Sequence, residues 1–132
     1  MRSKPVLTAD HARQIVSAAR LEAENQGRNV SIAVVDDGGY LVAFERLDGA
    51  FPHSAELAIA KARTAAIMRR PTKALEEMVK DRPGLLTMPG LTRVQGGLPI
   101  LVDGECVGAV GVSGVTSEQD EQVAAAGIAA SS

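Results

Sequence analysis

GGLPILVDGECVGAVGVSGVT, residues 96–116, is the stretch whose reading decides the fold. Leu98–Val102 is an apolar run of strand length, Asp103-Gly104 supplies a tight turn, and Val107–Val112 returns as a second strand. Glycine takes the positive φ that a two-residue hairpin turn demands, so the pattern predicts an antiparallel hairpin. With Asp103 and Gly104 as the loop, the expected register sets Ile100 opposite Val107 and Leu98 opposite Ala109. One face then carries Leu98, Ile100, Val107, Ala109 and Gly111, and the other Leu101, Cys106, Gly108, Val110 and Val112. Both faces are apolar, so both need a cover of helices, a second subunit or a ligand. Gly108 and Gly111 inside the strand mark close approach of another backbone or of a ligand. Gly96-Gly97 leads in and Ser113-Gly114 leads out, and this glycine-rich rim is the first place to look for a site.

Upstream of the hairpin, residues 1–7 read as a short arm. Thr8 is a plausible N-cap, and Ala12, Ile15, Val16, Ala19 and Ala23 recur at helical spacing, which predicts an amphipathic helix over 9–26 that Gly27 ends. Val30–Val35 reads as a strand, Asp37-Gly38-Gly39 as a turn, and Tyr40–Leu47 as the returning strand with Tyr40, Val42, Phe44 and Arg46 on one face. Pro52 suits a first helical turn, and Ala55, Ala58, Ile59, Ala62 and Ala66 form a small-residue stripe at 3.6 period, so a second helix runs to about Arg69. Thr72 is expected to cap a shorter helix from Lys73 to about Val79. Residues 81–95, with two prolines and two glycines, read as a long loop of the functional or mobile kind, with a short strand at Leu91–Val94. Downstream, Ser117 with Asp120 suggests a weakened capping box for a last helix from Glu118 to about Ala129.

Two hairpins separated and flanked by helices point to an α+β, profilin- or PAS-like fold: one antiparallel sheet covered by helices. The length, 132 residues, suits a single domain spanning 1–132 with its own core. Apolar residues make up 45% and aromatics 2%, so that core is aliphatic and built of small residues. The net charge of −2 with no basic block argues against nucleic-acid binding. No apolar run is long enough to span a membrane and no signal segment opens the chain, so the expected setting is cytoplasmic. Cys106 is the single cysteine, which excludes an intrachain disulfide.

The segments VVDDGGYLVAFERLDGA, KARTAA, GGLPILVDGECVGAVGVSGV and EQDEQVA, in that order from Ala33 to Ala126, resemble the GlcG/HbpS-type family, described as haem-degrading or haem-binding. TKALEEMV followed by the Pro/Gly loop is most similar to the GlcG branch, encoded with glycolate-utilisation enzymes. The resemblance implies a profilin-like α/β fold and self-association. It also implies binding of haem or a related tetrapyrrole in some members, including a relative fused to a corrinoid adenosyltransferase.

Haem iron is held by His, Cys, Met or Tyr. The residues to weigh are His11 in a first helical turn, His53 at the start of the second helix, Cys106 in mid-hairpin and Tyr40 beside a turn. Arg46 ends a strand face with Val42 and Phe44, where a guanidinium suits a carboxylate or propionate; its alternative is a structural pair with Asp48 or Asp36. Lys61, within KARTAA, is either a ligand-binding lysine or one that snorkels to the surface. Glu118 and Glu121, spaced E-x-x-E, are either carboxylates for a hard cation or charges that compensate the helix dipole. No structural metal site is expected, because no pair of these residues has metal-ligand spacing. Gly96 and Gly97 can offer backbone N–H groups to an anion. No Walker, dinucleotide-binding or G-x-S-x-G pattern occurs.

Taken with the resemblance, the expectation is a small-molecule-binding accessory protein of the GlcG/HbpS type, with haem or another tetrapyrrole as leading ligand and a homo-oligomeric state. Arg46, His53, Lys61, Gly96 and Gly97 would form the binding site, with Arg46 and His53 on the wall of one pocket at the Gly96-Gly97 rim. A second reading is a cofactor-independent enzyme catalysing proton transfer, isomerisation or hydration of a small oxo- or hydroxy-acid. There Arg46 would hold the carboxylate and His53 or Asp36 would shuttle a proton. A third is a structural oligomer that stabilises a partner enzyme.

Overall fold

The first helix begins where Thr8 turns its side chain onto the backbone: its Oγ1 accepts from the His11 N–H at 3.1 Å. A computed structural model describes residues 1–131. The elements run α1 (Ala9–Asn25), β1 (Ser31–Asp36), β2 (Leu41–Arg46), α2 (Ser54–Met68), α3 (Thr72–Asp81), a 3₁₀ turn (Pro83–Thr87), β3 (Gly97–Val102), β4 (Glu105–Ser113) and α4 (Ser117–Ala130). The four strands form one antiparallel sheet in the order β2-β1-β4-β3. This is the expected α+β architecture. Among the described residues, no helix is long and apolar enough to cross a membrane.

Helices cover both faces of the sheet. Ala12, Ile15, Val16, Ala19 and Ala23 of α1, all buried at helical spacing, join Val123 and Ala124 of α4 over Ile32, Val34, Val110 and Val112. Gly127 lets the two helices close up, since a Cβ there would lie 2.9 Å from the Ile15 carbonyl oxygen and 3.1 Å from Ala19 Cβ. On the opposite face α2 lays Ala58, Ala62, Ala65 and Ala66 against Ala33, Val35 and Ala109. That contact is closer than any side chain at position 111 would allow. A Cβ on Gly111 would fall on the Ala58 carbonyl oxygen and the Ala62 amide, and within 2.9 Å of Ala62 Cβ. The alanine stripe and the strand glycine are therefore two halves of one contact.

The hairpin forms with its turn as expected: Asp103 and Gly104 both take positive φ, +51° and +79°, the signature of a type I′ turn. Its register departs from the simple alternation. Leu101 faces Cys106, but Ile100 then faces Gly108 and Leu98 faces Val110. A bulge at Val107 inserts one residue, and a one-residue slip moves every later side chain to the other face. Val107, Val110 and Val112 consequently share the α1/α4 core with Ile100 and Leu98, whereas Ala109 and Gly111 face α2. A second irregularity, where Val34 pairs with Ala43 but Val35 with Leu41, turns Val42 toward the α1/α4 side and away from the face of Phe44 and Arg46.

The helix starts also differ from expectation. Thr116, with Gln119, makes the capping box of α4, in place of Ser117 and Asp120. Asp120 is instead drawn into the core, 2% exposed. Thr72 is the first residue of α3 and caps nothing; its hydroxyl accepts the Gly97 N–H at 2.9 Å and so pins the start of β3. Pro52 lies just ahead of α2, its carbonyl accepting from the Ala55 N–H. Leu91–Val94 is not a strand; Thr92 is held there by its N–H to Thr64 Oγ1 at 2.9 Å, which takes the place of a sheet partner.

Gly111→Ala should lower the urea midpoint by the equivalent of about 1–3 kcal/mol or more, because backbone rather than a flexible side chain must move. Gly84→Ala, where no atom lies within 4 Å of the new Cβ, should leave the midpoint unchanged or slightly raised. Equal midpoints for the two variants would contradict the close α2–β4 approach.

Candidate functional site

The tight seat of α2 brings Lys61, Gly96 and Gly97 together. A Cβ on Gly97 would fall on the Lys61 carbonyl oxygen, and one on Gly96 would come within 2.8 Å of both Lys61 Nζ and the Val112 carbonyl oxygen. The Lys61 side chain thus runs beneath Gly96. It ends in a buried ion pair, with Nζ donating to Val112 O at 3.0 Å and to Asp120 Oδ2 at 3.1 Å. The two side chains are 4% and 3% exposed. Asp120 Oδ1 accepts from the Val115 N–H. Burial holds the Asp120 carboxyl above the usual carboxylate range, outweighing the opposite pull of the Lys61 ammonium and the Val115 N–H. Lys61 neither snorkels nor presents its ammonium to solvent: it ties α2 to β4 and to the first turn of α4. Asp120 was not among the expected site residues. The sequence signal was a lysine set between Ala58, Ala62 and Ala65, a position that requires a buried counter-charge without saying which carboxylate supplies it.

Arg46 and His53 lie elsewhere. β2 and β3 are opposite edges of the sheet. Arg46 on β2 and Gly96 before β3 are therefore three strand spacings apart, about 14 Å. Arg46 is exposed and donates from Nε to the Ala50 carbonyl at 3.3 Å. It pairs with neither Asp48 nor Asp36 among the described residues. His53 immediately precedes α2, exposed, with Nδ1 3.3 Å from a Glu56 carboxylate oxygen. Ser31, the cross-strand partner of Arg46, is hydrogen bonded to Ser54 at 2.8 Å, which fixes the α2 N-terminus at this end of the sheet. Phe44 shares the Arg46 face, and Phe51 sits in the β2–α2 connection; they are 37% and 46% exposed. This corner therefore combines a guanidinium, an imidazole and two half-open aromatic rings. Asp36 is not part of it. Its Oδ1 accepts from the Gly38 and Tyr40 N–H groups, both at 2.9 Å, and shapes the β1–β2 turn.

The residues capable of holding haem iron have distinct surroundings. Cys106 is buried, its thiol 3.3 Å from the Gly108 carbonyl oxygen. Tyr40 is 71% exposed. His11, on the α1 side of the sheet and far from His53, has its Nε2 buried with no hydrogen-bond partner. An imidazole nitrogen without a hydrogen-bond partner keeps its lone pair or proton unused, but His11 lies on the sheet face opposite Arg46, Phe44 and His53. Glu118 is exposed and Glu121 accepts from Gln95 Nε2 at 2.9 Å. No group of three or more His, Cys, Asp or Glu is gathered for a metal ion among the described residues.

A family model described as "Haem degrading protein HbpS-like" matches residues 7–129. Protein GlcG of Escherichia coli strain K12 is 48% identical over 114 residues, covering 86% of this chain and 85% of that protein. The crystal structure of a doubly substituted HbpS from Streptomyces reticuli superposes with a TM-score of 0.91 at 38% identity, covering 98% of this chain and 89% of that one. The crystal structure of a PduOC:heme complex superposes with a TM-score of 0.86 at 30% identity, covering 96% and 95%.

Asp120→Ala should destabilise the fold by about 3–5 kcal/mol, since it removes the acceptor of both the buried Lys61 ammonium and the Val115 N–H. Adding Lys61→Met should restore part of that loss. Because the folded-state pKa of Asp120 is raised, protonation adds stability that is fully present below its unfolded pKa and is lost as the pH rises through the folded one. Wild type should therefore gain on Asp120→Ala as the pH is lowered from neutral through the carboxylate range. Urea titrations at several pH values measure both effects.

Proposed function

The chain belongs to the haem-degrading, HbpS-like family, and from that premise we propose that it is a small-molecule-binding accessory protein whose ligand is haem or another tetrapyrrole. The observation that carries this reading is the corner where β2 hands over to α2. Phe44 and Phe51 leave aromatic surface open there, beside the exposed Arg46 and His53. A porphyrin asks for apolar contact over its ring, a cation for its propionates and a nitrogen for its iron. The likeness to a domain crystallised with heme supports the same ligand class. Lys61, Gly96 and Gly97 contribute by holding α2 and β3 in place rather than by touching the ligand.

His11 is the second donor worth weighing, favoured by its buried and unpartnered Nε2. It lies on the α1 side, so the two histidines define separable sites. Self-association belongs to the same reading. Tyr40, Leu86 and Leu101 are 71%, 67% and 57% exposed, apolar side chains that a second copy would cover.

Haemin titration followed at the Soret band tests the proposal. Wild type should saturate at a fixed ratio of haem to protein. Arg46→Ala should weaken binding more than about tenfold, the consequence of losing a charge-assisted hydrogen bond worth about 1.5–3 kcal/mol. The histidine that holds the iron is the one whose alanine variant shifts the band. If wild type does not saturate, or if Arg46→Ala, His53→Ala and His11→Ala all titrate as wild type does, the reading fails.

A further inference from the structure

The segment between α3 and β3 buries an arginine that has no counter-charge. Arg93 is 9% exposed. Among the described residues no carboxylate pairs with it. Its Nη1 donates to the Leu75 carbonyl of α3 at 3.4 Å, the long end of the hydrogen-bond range. Its Nη2 meets only the Met88 sulfur, at 3.2 Å, and a thioether is a weak acceptor. Its Nε is buried with no partner at all. Guanidinium groups this deeply buried are ordinarily paired, because desolvating an unpaired charge is costly.

The pattern of satisfied and unsatisfied nitrogens is specific. Nε–H and one Nη2–H point the same way and form the side-on fork that grips a carboxylate through two parallel hydrogen bonds. In Arg93 this fork faces no oxygen, while the remaining nitrogen is anchored on α3. The backbone beside it is fixed too, by the Thr92 N–H to Thr64 Oγ1 at 2.9 Å. Met88, whose sulfur is the Nη2 contact, is itself 40% exposed, and its unbranched side chain adapts readily. Met88 follows the 3₁₀ turn Pro83–Thr87, exposed at every residue except the half-buried Leu85.

We propose that Arg93 is the anchor of a second ligand site, one that takes the carboxylate of a small organic acid on its Nε/Nη2 fork, with Met88 moving aside as the cover. Arg93 lies next to β3 and α3, whereas Arg46 and His53 lie at the β2 edge, so this site is separate from the corner proposed for the tetrapyrrole. A carboxylate has two possible sources here, a free small acid or a porphyrin propionate, and both would be read by the same fork.

The test follows the Arg93 Nε–H signal by NMR in the full chain during titration with sodium acetate and sodium formate, with sodium chloride at matched ionic strength as control. Both carboxylates should move the signal saturably, and chloride should not. Arg93→Lys, which keeps the charge but loses the fork, should weaken acetate binding at least about tenfold, read by calorimetry. Arg93→Met should abolish binding and melt no lower than wild type, since it removes an unpaired buried charge; if it fails to fold, Arg93→Lys still carries the test. A haemin arm separates the sources. Haemin affinity unchanged in Arg93→Lys while acetate binding falls assigns the site to free acids, and a parallel loss with competition by acetate assigns it to a propionate. Failure of both carboxylates to move the Nε–H signal beyond the chloride control would overturn the proposal. So would unchanged acetate affinity in Arg93→Lys. Because neither outcome depends on Arg46, His53 or His11, either can occur whether or not haemin binds at the corner.

Discussion

The structure depends on how closely one helix can lie on one strand. α2 approaches β4 to a distance at which position 111 has no room for a side chain, and it approaches β3 so nearly that position 97 has none either. Small residues carry little hydrophobic surface each, so such a contact is stabilising only when many atoms touch at once. Ala58, Ala62, Ala65 and Ala66 meet that condition by presenting an unbroken stripe to Ala33, Val35, Ala109 and the glycine backbone. The tolerance is correspondingly small, and the fold is most sensitive at glycines that a composition table would class as permissive.

The close seat of α2 has an electrostatic consequence. Lys61 lies on the buried side of the helix, so its ammonium cannot reach solvent and must find its partners inside. Asp120 and the Val112 carbonyl meet that need. The pair is better understood as a device of arrangement than as a source of net stability, because desolvating two charges offsets much of their attraction. It joins α2 to β4 and to α4, whose partners lie 51 and 59 residues further along the chain, and it explains why the first turn of α4 turns inward a carboxylate that helix-dipole reasoning would leave in water. Arg93 is the contrasting case. It is buried to a similar degree, but by a loop rather than by the sheet, and without an acidic partner.

α2 covers β4, β1 and the start of β3 more fully than β2. The uncovered edge keeps Phe44 and Arg46 at the surface, next to the helix start that holds His53. The proposed ligand corner is thus the remainder of the same packing decision that seals Lys61 away. The two groups belong to different environments although all of these residues face the α2 side of the sheet.

Much of this was legible in the sequence, for a definite reason. The stripe in α1, the alanine spacing in α2 and the Asp103-Gly104 turn are local patterns, and periodicities of 3.6 and 2 report which side of an element is buried whatever lies opposite. Gly111 could be read as a close approach, since little else justifies a glycine inside a buried strand. What alternation could not show was the bulge at Val107, which depends on the strands flanking β4 and reverses the faces beyond it. The capping box at the head of α4 was legible as Thr116-x-x-Gln119, a better match than Ser117 with Asp120, but nothing local showed that Asp120 would turn inward as the counter-charge to Lys61. The expected gathering of Arg46 and His53 with Gly96 into one pocket rested on closeness along the chain. The strand order β2-β1-β4-β3 sends them to opposite edges. Chain-local chemistry determined the elements and their buried sides; the sheet order and the depth at which α2 seats, which arise from contacts between distant segments, decided which charges meet and which remain in reach of a ligand.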